Sequence, residues 1–417
     1  MILAIFLGLL LQGKPKPLIV FERPNIIFVI LDDVGDHDIN VVDTPTIDSI
    51  ANAGLNFRRG YSMPVCAATR RTFMFGDYAE SAGPICQNNG NALTPEANWI
   101  SIPSIFEMQK YNTALFGKWH LGTNSFGMPW QMTPRLEPYE FDDTFAVVPG
   151  NVSSLCAGFE GDYYSWLSVE NDFSFIEDEY QTVVLRDKFI AWWQDTVGPK
   201  FAYVSFQAAH APFNEPPAEL LPYLPDPTGK TANRIQFEKL IISIDFVLSQ
   251  MLSVVDIQNT YIILIGDNGT PPNAIGPGQI STKVKTSPYE GGIRVPFMIA
   301  GPGITPGTSD SLVSVVDILP TLGALLNVPE DVVDGVSLLP VLQNSTAVVH
   351  DHVFASNDGD RAVIQSRFKL IRLQGVEKFF DLSVDPQENS PVNPSLIDPL
   401  IVASLRDAMA GYIQRGL

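Results

Sequence analysis

Two pairs of hard-oxygen side chains stand at the ends of apolar runs: Asp32-Asp33 after Asn25-IIFVIL, and Asp267-Asn268 after YIILIG. Calcium and magnesium ions take several carboxylate and amide oxygens, so the four side chains together would make a divalent-cation site. Taken singly, such a pair at a strand end is more often a turn or a helix cap. Two further apolar runs end in cations and imidazoles. TALF leads into Gly117-Lys118-Trp119-His120, and FAYVSFQAA leads into His210-Ala211-Pro212. Histidine can hydrogen-bond an anion or pass a proton, and two of the five histidines in the chain fall just past these runs. Lys285, in KTSPYEGGIRVP, reads alone as a solvated surface charge and gains meaning only from the joint pattern.

The apolar runs themselves (NIIFVIL, TALF, FAYVSF, YIILI and PFMIA) are short, rich in β-branched and aromatic residues, and continuous rather than alternating. That composition predicts strands buried on both faces. Between them lie helical stretches: TPTIDSIANAGL, TVVLRDKFIAWWQDT, FEKLIISIDFVLSQMLSVVD and, later, VSVVDILPTLGALL. Strands alternating with helices predict an α/β fold with a large, mostly parallel or mixed sheet sandwiched by helices. In such sheets ligands gather at the carboxyl ends of the strands, where the polar groups above stand. Beyond residue 345 the pattern changes. RAVIQS, RFKLIRLQ and KFFDL alternate and are broken by turn residues, predicting a small C-terminal antiparallel sheet, with a last helix near SLIDPLIVASLRDAMAGYI. The expected division is residues 1–24 as a leader and linker, 25–344 as the catalytic domain, and 345–417 as a C-terminal subdomain.

With 417 residues, 45% hydrophobic and 17% charged, the chain has an ordinary globular composition. Its formal net charge of -20 sets a field that repels phosphate backbones and argues against nucleic acid as a partner. An anion site must therefore be built locally from the few well-placed cations. Residues 2–11, ILAIFLGLLL, are too short to span a bilayer but have the length of a signal-peptide core, which leads us to expect a secreted or periplasmic protein. No transmembrane segment is expected. Three cysteines, Cys66, Cys86 and Cys156, do not make a disulfide framework; with Cys66 set apart, the other two could pair or stay free.

The segment Pro64-Val65-Cys66-Ala67-Ala68-Thr69-Arg70-Arg71-Thr72-Phe73-Met74-Phe75-Gly76 resembles the signature of the sulfatase family: a cysteine, a proline two residues later, an arginine two beyond that, then a short helix ending in glycine. Ala68 stands here at the proline position. The resemblance continues in order through NIIFVILDDVG, TPTIDSIANAGLNFRRGY, FGKWHLG, ILIGDNG, YEGGIRVPFMIAGPG, VDILPTL and KLIRLQGVEKFFDLSVDP, and so spans essentially the whole chain.

The resemblance implies hydrolysis of sulfate monoesters, with a sulfated carbohydrate or small molecule as substrate. It implies formylglycine made from Cys66 by a formylglycine-generating enzyme, and one bound Ca2+ or Mg2+. By matching position, Asp32, Asp33, Asp267 and Asn268 would hold the ion together with modified Cys66. Arg70 would orient the nucleophile, Lys118 and Lys285 would grip sulfate oxygens, His120 would take a proton from the aldehyde hydrate, and His210 would serve the leaving oxygen. A sulfate ester repels an incoming nucleophile, so its charge must be met by fixed cations and oriented donors, which accounts for these residue types. The family's additional serine has Ser153 and Ser154 as candidates here, and His37 reads as a substrate-side or surface residue. Loops 123–180 and 211–232 are expected to form the substrate rim. Two other readings remain: a phosphodiesterase or phosphonate hydrolase of the same superfamily, or an inactive relative that binds sulfated glycans.

Overall fold

The computed structural model describes residues 23–78, 100–121, 141–148, 150–153, 161–171, 173–328 and 333–415. The apolar run at 2–11, Cys86, Cys156, Ser154 and part of the expected substrate rim lie outside these residues.

The strands in chain order are β1 (Asn25–Leu31), β2 (Leu55–Phe57), β3 (Gly60–Tyr61), β4 (Asn112–Lys118), β5 (Asp143–Val148), β6 (Trp166–Glu170), β7 (Phe173–Glu177), β8 (Lys200–Ser205), β9 (Thr260–Gly266), β10 (Phe297–Ala300), β11 (Gly307–Ser309) and β12 (Val313–Ser314). Ten of them form one sheet in the order β11-β2-β10-β9-β1-β8-β4-β5-β6-β7. Its centre, β9-β1-β8-β4-β5, is parallel. At the flanks, β10 runs antiparallel to β9 and to β2, and β6 runs antiparallel to β5 and β7.

Strand β1 shows why its sequence is apolar throughout. Ile27, Val29 and Leu31 enter one hydrophobic core, while Ile26, Phe28 and Ile30 enter the other. Successive side chains leave a strand on opposite faces, so a strand covered on both sides needs apolar residues at every position. The helices Gln181–Asp195 and Ala232–Leu252 supply the first core, and Cys66–Phe75, Ile102–Met108 and Ile318–Leu325 supply the second. Among the described residues no helix is long and apolar enough to cross a membrane.

The C-terminal strands β13 (Val353–Asn357), β14 (Asp360–Gln365), β15 (Phe368–Leu373) and β16 (Val376–Asp381) form a four-stranded antiparallel sheet in that order. One face takes the last helix, Pro399–Arg415, through Val363, Leu370, Phe379, Leu405 and Met409. The other packs on the main body, where Ala355, Ile371 and Phe380 share a cluster with Tyr61, Met63, Ile293 and Val316. An ion triad reinforces the contact. Lys369 Nζ, with its side chain wholly buried, lies 2.8 Å from Glu290 Oε1 and 2.9 Å from Glu388 Oε1.

Some elements depart from the expectation. VSVVDILPTLGALL is not helical throughout: Val313-Ser314 pairs with Gly60-Tyr61 as a strand, and the α-helix begins at Ile318. Ser314 N donates to Asp317 Oδ2, a capping contact that sets the helix start downstream. Strands β5, β6, β7 and β13 were not anticipated.

Candidate active site

The chemistry-bearing residues meet at one edge of the sheet. Asp32 and Asp33 follow β1, Lys118 closes β4, His210 lies beyond β8, Asp267 and Asn268 follow β9, and Lys285 sits in the connection from β9 to β10. Cys66 is the first residue of the helix Cys66–Phe75. Asp33 (φ 63°) and His120 (φ 58°) both adopt the left-handed conformation. At Asp33 that reversal follows a straight strand, so two consecutive carboxylates can reach one cluster instead of pointing to opposite faces.

Cys66 has no solvent exposure, and its Sγ lies 3.0 Å from Asn268 Oδ1, 3.3 Å from Asp32 Oδ1, 3.7 Å from Asp33 Oδ1 and 3.4 Å from Lys285 Nζ. Arg70 stands one helical turn after Cys66, on the same face. Its Nη1 donates to Lys118 O at 3.0 Å and Ser205 Oγ at 2.7 Å, while Nε and Nη2 donate to Asp267 Oδ2. Lys118 Nζ donates to Asp32 Oδ2, and Lys285 Nζ donates to Asp33 Oδ1. His210 Nε2 is 3.8 Å from Asp33 Oδ2, and its Nδ1 is 2.7 Å from Ala211 O. A carbonyl can only accept, so Nδ1 carries the hydrogen and Nε2 is the open position of a neutral ring.

The structure thus gathers Asp32, Asp33, Cys66, Arg70, Lys118, Asp267, Asn268 and Lys285 into one hydrogen-bonded cluster, with His210 3.8 Å from Asp33 at its edge. His120 belongs to the same charge field, and its Nδ1 is buried without a partner. Sequence reasoning missed Ser205, which anchors Arg70, and Asn151, whose Oδ1 accepts from Lys118 Nζ at 3.0 Å. Neither has a sequence signal beyond its place near a strand end. His37 lines a cavity of about 240 Å³ with Arg294 and Glu388, and none of the cluster residues lines it.

Burial first, then Asp267 and Asp32, push the Cys66 thiol well above its ordinary value. The helix N-terminus, which by itself would favour a thiolate, is outweighed here. Burial also works against the Asp33 carboxylate, but Lys285, His210 and Lys118 overcome it and hold Asp33 well below the usual carboxylate range. Asp267 moves the other way, raised by burial and by Asp32 against the pull of Arg70. Burial lowers His210 to about 3 despite Asp33. Burial and Lys118 lower His120 as well.

This donor set fits a divalent cation. Asp32, Asp33, Cys66 and Asp267 each offer a ligand atom, all within 4.8 Å of one another and all buried, and Asn268 adds an amide oxygen beside them. Three packed carboxylates, one of them with a raised proton affinity, favour a hard cation in their midst. The raised thiol and the orphaned His120 Nδ1 fit a replacement of Cys66 by a group carrying oxygen and an exchangeable proton.

Residues 24–328 match the family model described as Sulfatase. Among curated proteins, the chain is 25% identical over 408 residues to N-acetylgalactosamine-6-sulfatase of Canis lupus familiaris, covering 87% of this chain and 73% of that protein. It is 23% identical over 472 residues to N-acetylgalactosamine-6-O-sulfatase of Bacteroides thetaiotaomicron, covering 89% and 90%. Among solved structures, Ps i-CgsB in complex with k-i-k-neocarrahexaose aligns with a TM-score of 0.79 at 20% identity, covering 95% of this chain and 94% of that one. BT4656 in complex with its substrate D-glucosamine-2-N,6-O-disulfate aligns with a TM-score of 0.73 at 17% identity, covering 95% and 98%.

Proposed function

The chain belongs to the sulfatase family and is a sulfuric ester hydrolase, and from that premise we propose that it cleaves sulfate monoesters of a carbohydrate, using formylglycine formed from Cys66 and a calcium ion held by Asp32, Asp33, Asp267 and Asn268. The observation that carries this reading is the set of groups gathered around a buried Cys66: Asp32, Asp33, Asn268 and Lys285 lie against its Sγ, while Lys118 and Arg70 hold Asp32 and Asp267 beside it. A thiol whose proton is held this tightly is a weak nucleophile, which favours a chemically converted residue over cysteine itself. The carbohydrate class is supported by the relatives named N-acetylgalactosamine-6-sulfatase and by neighbours whose structures were solved in complex with saccharides.

In this reading the bound cation would supply Lewis acidity and formylglycine a carbonyl carbon that can take up and return oxygen. The residues of the chain divide the remaining work. Lys118 and Lys285 each touch two groups already and keep one N–H for an anion, so both can bind sulfate oxygens while remaining fixed. Arg70 holds Asp267 in place and ties the nucleophile helix to the ends of β4 and β8. His120, held neutral by burial and by Lys118 and with its Nδ1 unpartnered, is suited to accept a proton. His210 presents Nε2 on the side of Asp33; a sulfate anion against it would raise its proton affinity and equip it to serve the leaving alcohol.

The test is a comparison of substrates with protein made alongside a formylglycine-generating enzyme. Turnover of 4-nitrophenyl sulfate should exceed that of bis(4-nitrophenyl) phosphate, and N-acetylgalactosamine 6-sulfate should release inorganic sulfate. Faster hydrolysis of the phosphate diester would favour the phosphoryl-transfer relative, and binding of sulfated sugars without turnover would favour the inactive one.

A further inference from the structure

Lys118 has no solvent exposure, yet its Nζ has two acceptors: Asp32 Oδ2 at 2.5 Å and Asn151 Oδ1 at 3.0 Å. An ammonium has three N–H groups and cannot accept, so the Asn151 carbonyl must face Lys118 and one N–H of the lysine remains for another partner. The Asn151 Nδ2 group, turned away from the lysine, has no hydrogen bond among the described residues. The segment around Asn151 is held along the Lys118–His120 stretch. Trp119 N donates to Val148 O at 3.0 Å, and a side-chain carbon built on Gly150 would come within 3.9 Å of His120 Cδ2.

We propose that Asn151 is a sulfate-binding residue: its carbonyl aims the remaining N–H of Lys118 and its amide N–H groups donate to the same sulfate. Nδ2 shares a carbon atom with Oδ1, so it lies close enough to Lys118 Nζ for one tetrahedral anion to bridge both. The choice of an amide suits the local charge. Asp32, Asp33 and Asp267 already oppose an incoming anion, and a neutral side chain adds donors without adding a fourth carboxylate. Asn151-Val152-Ser153 also has the pattern of an N-glycosylation acceptor; engagement of the amide by a buried lysine speaks against that use. Ser153 makes no hydrogen bond to the cluster, so the contact with Lys118 falls to Asn151.

The proposal rests on the sulfate-ester reading, and its test separates the two. Matured wild-type protein must first turn over 4-nitrophenyl sulfate; without turnover it is the reading of the function that fails. Asn151→Ala and Asn151→Asp are then compared for KM, kcat and inorganic sulfate binding by titration calorimetry, with thermal unfolding as the control for folding. Asn151→Ala should lose about 10–100-fold in kcat/KM and at least about tenfold in sulfate affinity. Asn151→Asp keeps the acceptor for Lys118 but replaces the donors with charge, so it should be the weaker of the two, mainly through KM. Sulfate affinity unchanged in Asn151→Ala, or Asn151→Asp binding sulfate as well as wild type, would overturn the proposal.

Discussion

Arg70 meets Asp267 through two nitrogens on a single oxygen, Nε at 3.1 Å and Nη2 at 2.8 Å from Oδ2, leaving Asp267 Oδ1 to accept from Asp33 N at 3.1 Å. Both side chains are without solvent exposure. The pair therefore locks the helix Cys66–Phe75 to two of the strand ends that carry the acidic cluster.

Arg70→Ala should cost about 3–5 kcal/mol of stability, because it leaves a buried carboxylate without its partner, and should abolish turnover. Arg70→Lys restores the charge but not the fork, so it should recover part of the stability and little of the activity. Urea unfolding of the three proteins reads the first effect. A loss below about 1 kcal/mol in Arg70→Ala would mean that water or a rearranged lysine replaces the guanidinium.

Chelation should lower the unfolding temperature of the purified protein, and calcium should restore it, since a ligand that binds only the native state adds about 2.7 kcal/mol at a hundredfold excess over its Kd. Elemental analysis should find one calcium per chain in the wild type and none in Asp267→Ala. Stoichiometric calcium in that variant would refute the ligand set.

His350 Nε2 lies 2.8 Å from Asp317 Oδ1, and although burial opposes it, this carboxylate raises the histidine above its ordinary pKa. A raised folded-state pKa gives stability that is complete below the unfolded value and is lost as pH rises through the folded one. His350→Gln should therefore cost more at pH 5.5 than at pH 8.5. Equal costs at the two pH values would assign His350 a packing role alone.

Lys369→Met removes the only cation between Glu290 and Glu388 in the triad. Burial already raises Glu388 to about 7 with the lysine present, so without it Glu388 will hold its proton more tightly still. The variant should lose about 3–5 kcal/mol at pH 8, with the deficit shrinking as pH falls and Glu388 is neutralised. A pH-independent loss would show that the cost lies in packing. We also expect a chain cut at residue 344 to fail to fold, because Tyr61, Met63, Ile293 and Val316 would lose the sheet that covers them.

How much of this was legible depended on how each element is stabilised. Strands β1, β4, β8, β9 and β10 declare themselves because burial on both faces demands unbroken apolar runs, and the polar residues that end those runs form most of the site. Strand β7 gives no such signal: it is an edge strand with Phe173, Phe175 and Ile176 exposed, and its neighbour β6 meets β5 at a single residue pair. Val313-Ser314 carries a helical pattern but is claimed by pairing with Gly60-Tyr61, a partner some 250 residues earlier that no local pattern can reveal. The Glu290–Lys369–Glu388 triad was equally hidden, since each residue alone looks like surface charge. Ser205 and Asn151 gain their importance only from the side chains that the fold brings to them.

The central claim, that a converted Cys66 cleaves sulfate esters, is tested most directly by peptide mass spectrometry of residues 60–70 from protein made together with a formylglycine-generating enzyme. The account predicts the aldehyde at Cys66, despite Ala68 at the proline position of the motif, in the same preparation that hydrolyses 4-nitrophenyl sulfate. An unmodified thiol in a preparation that is nevertheless active, from a host that converts a control sulfatase, would contradict it.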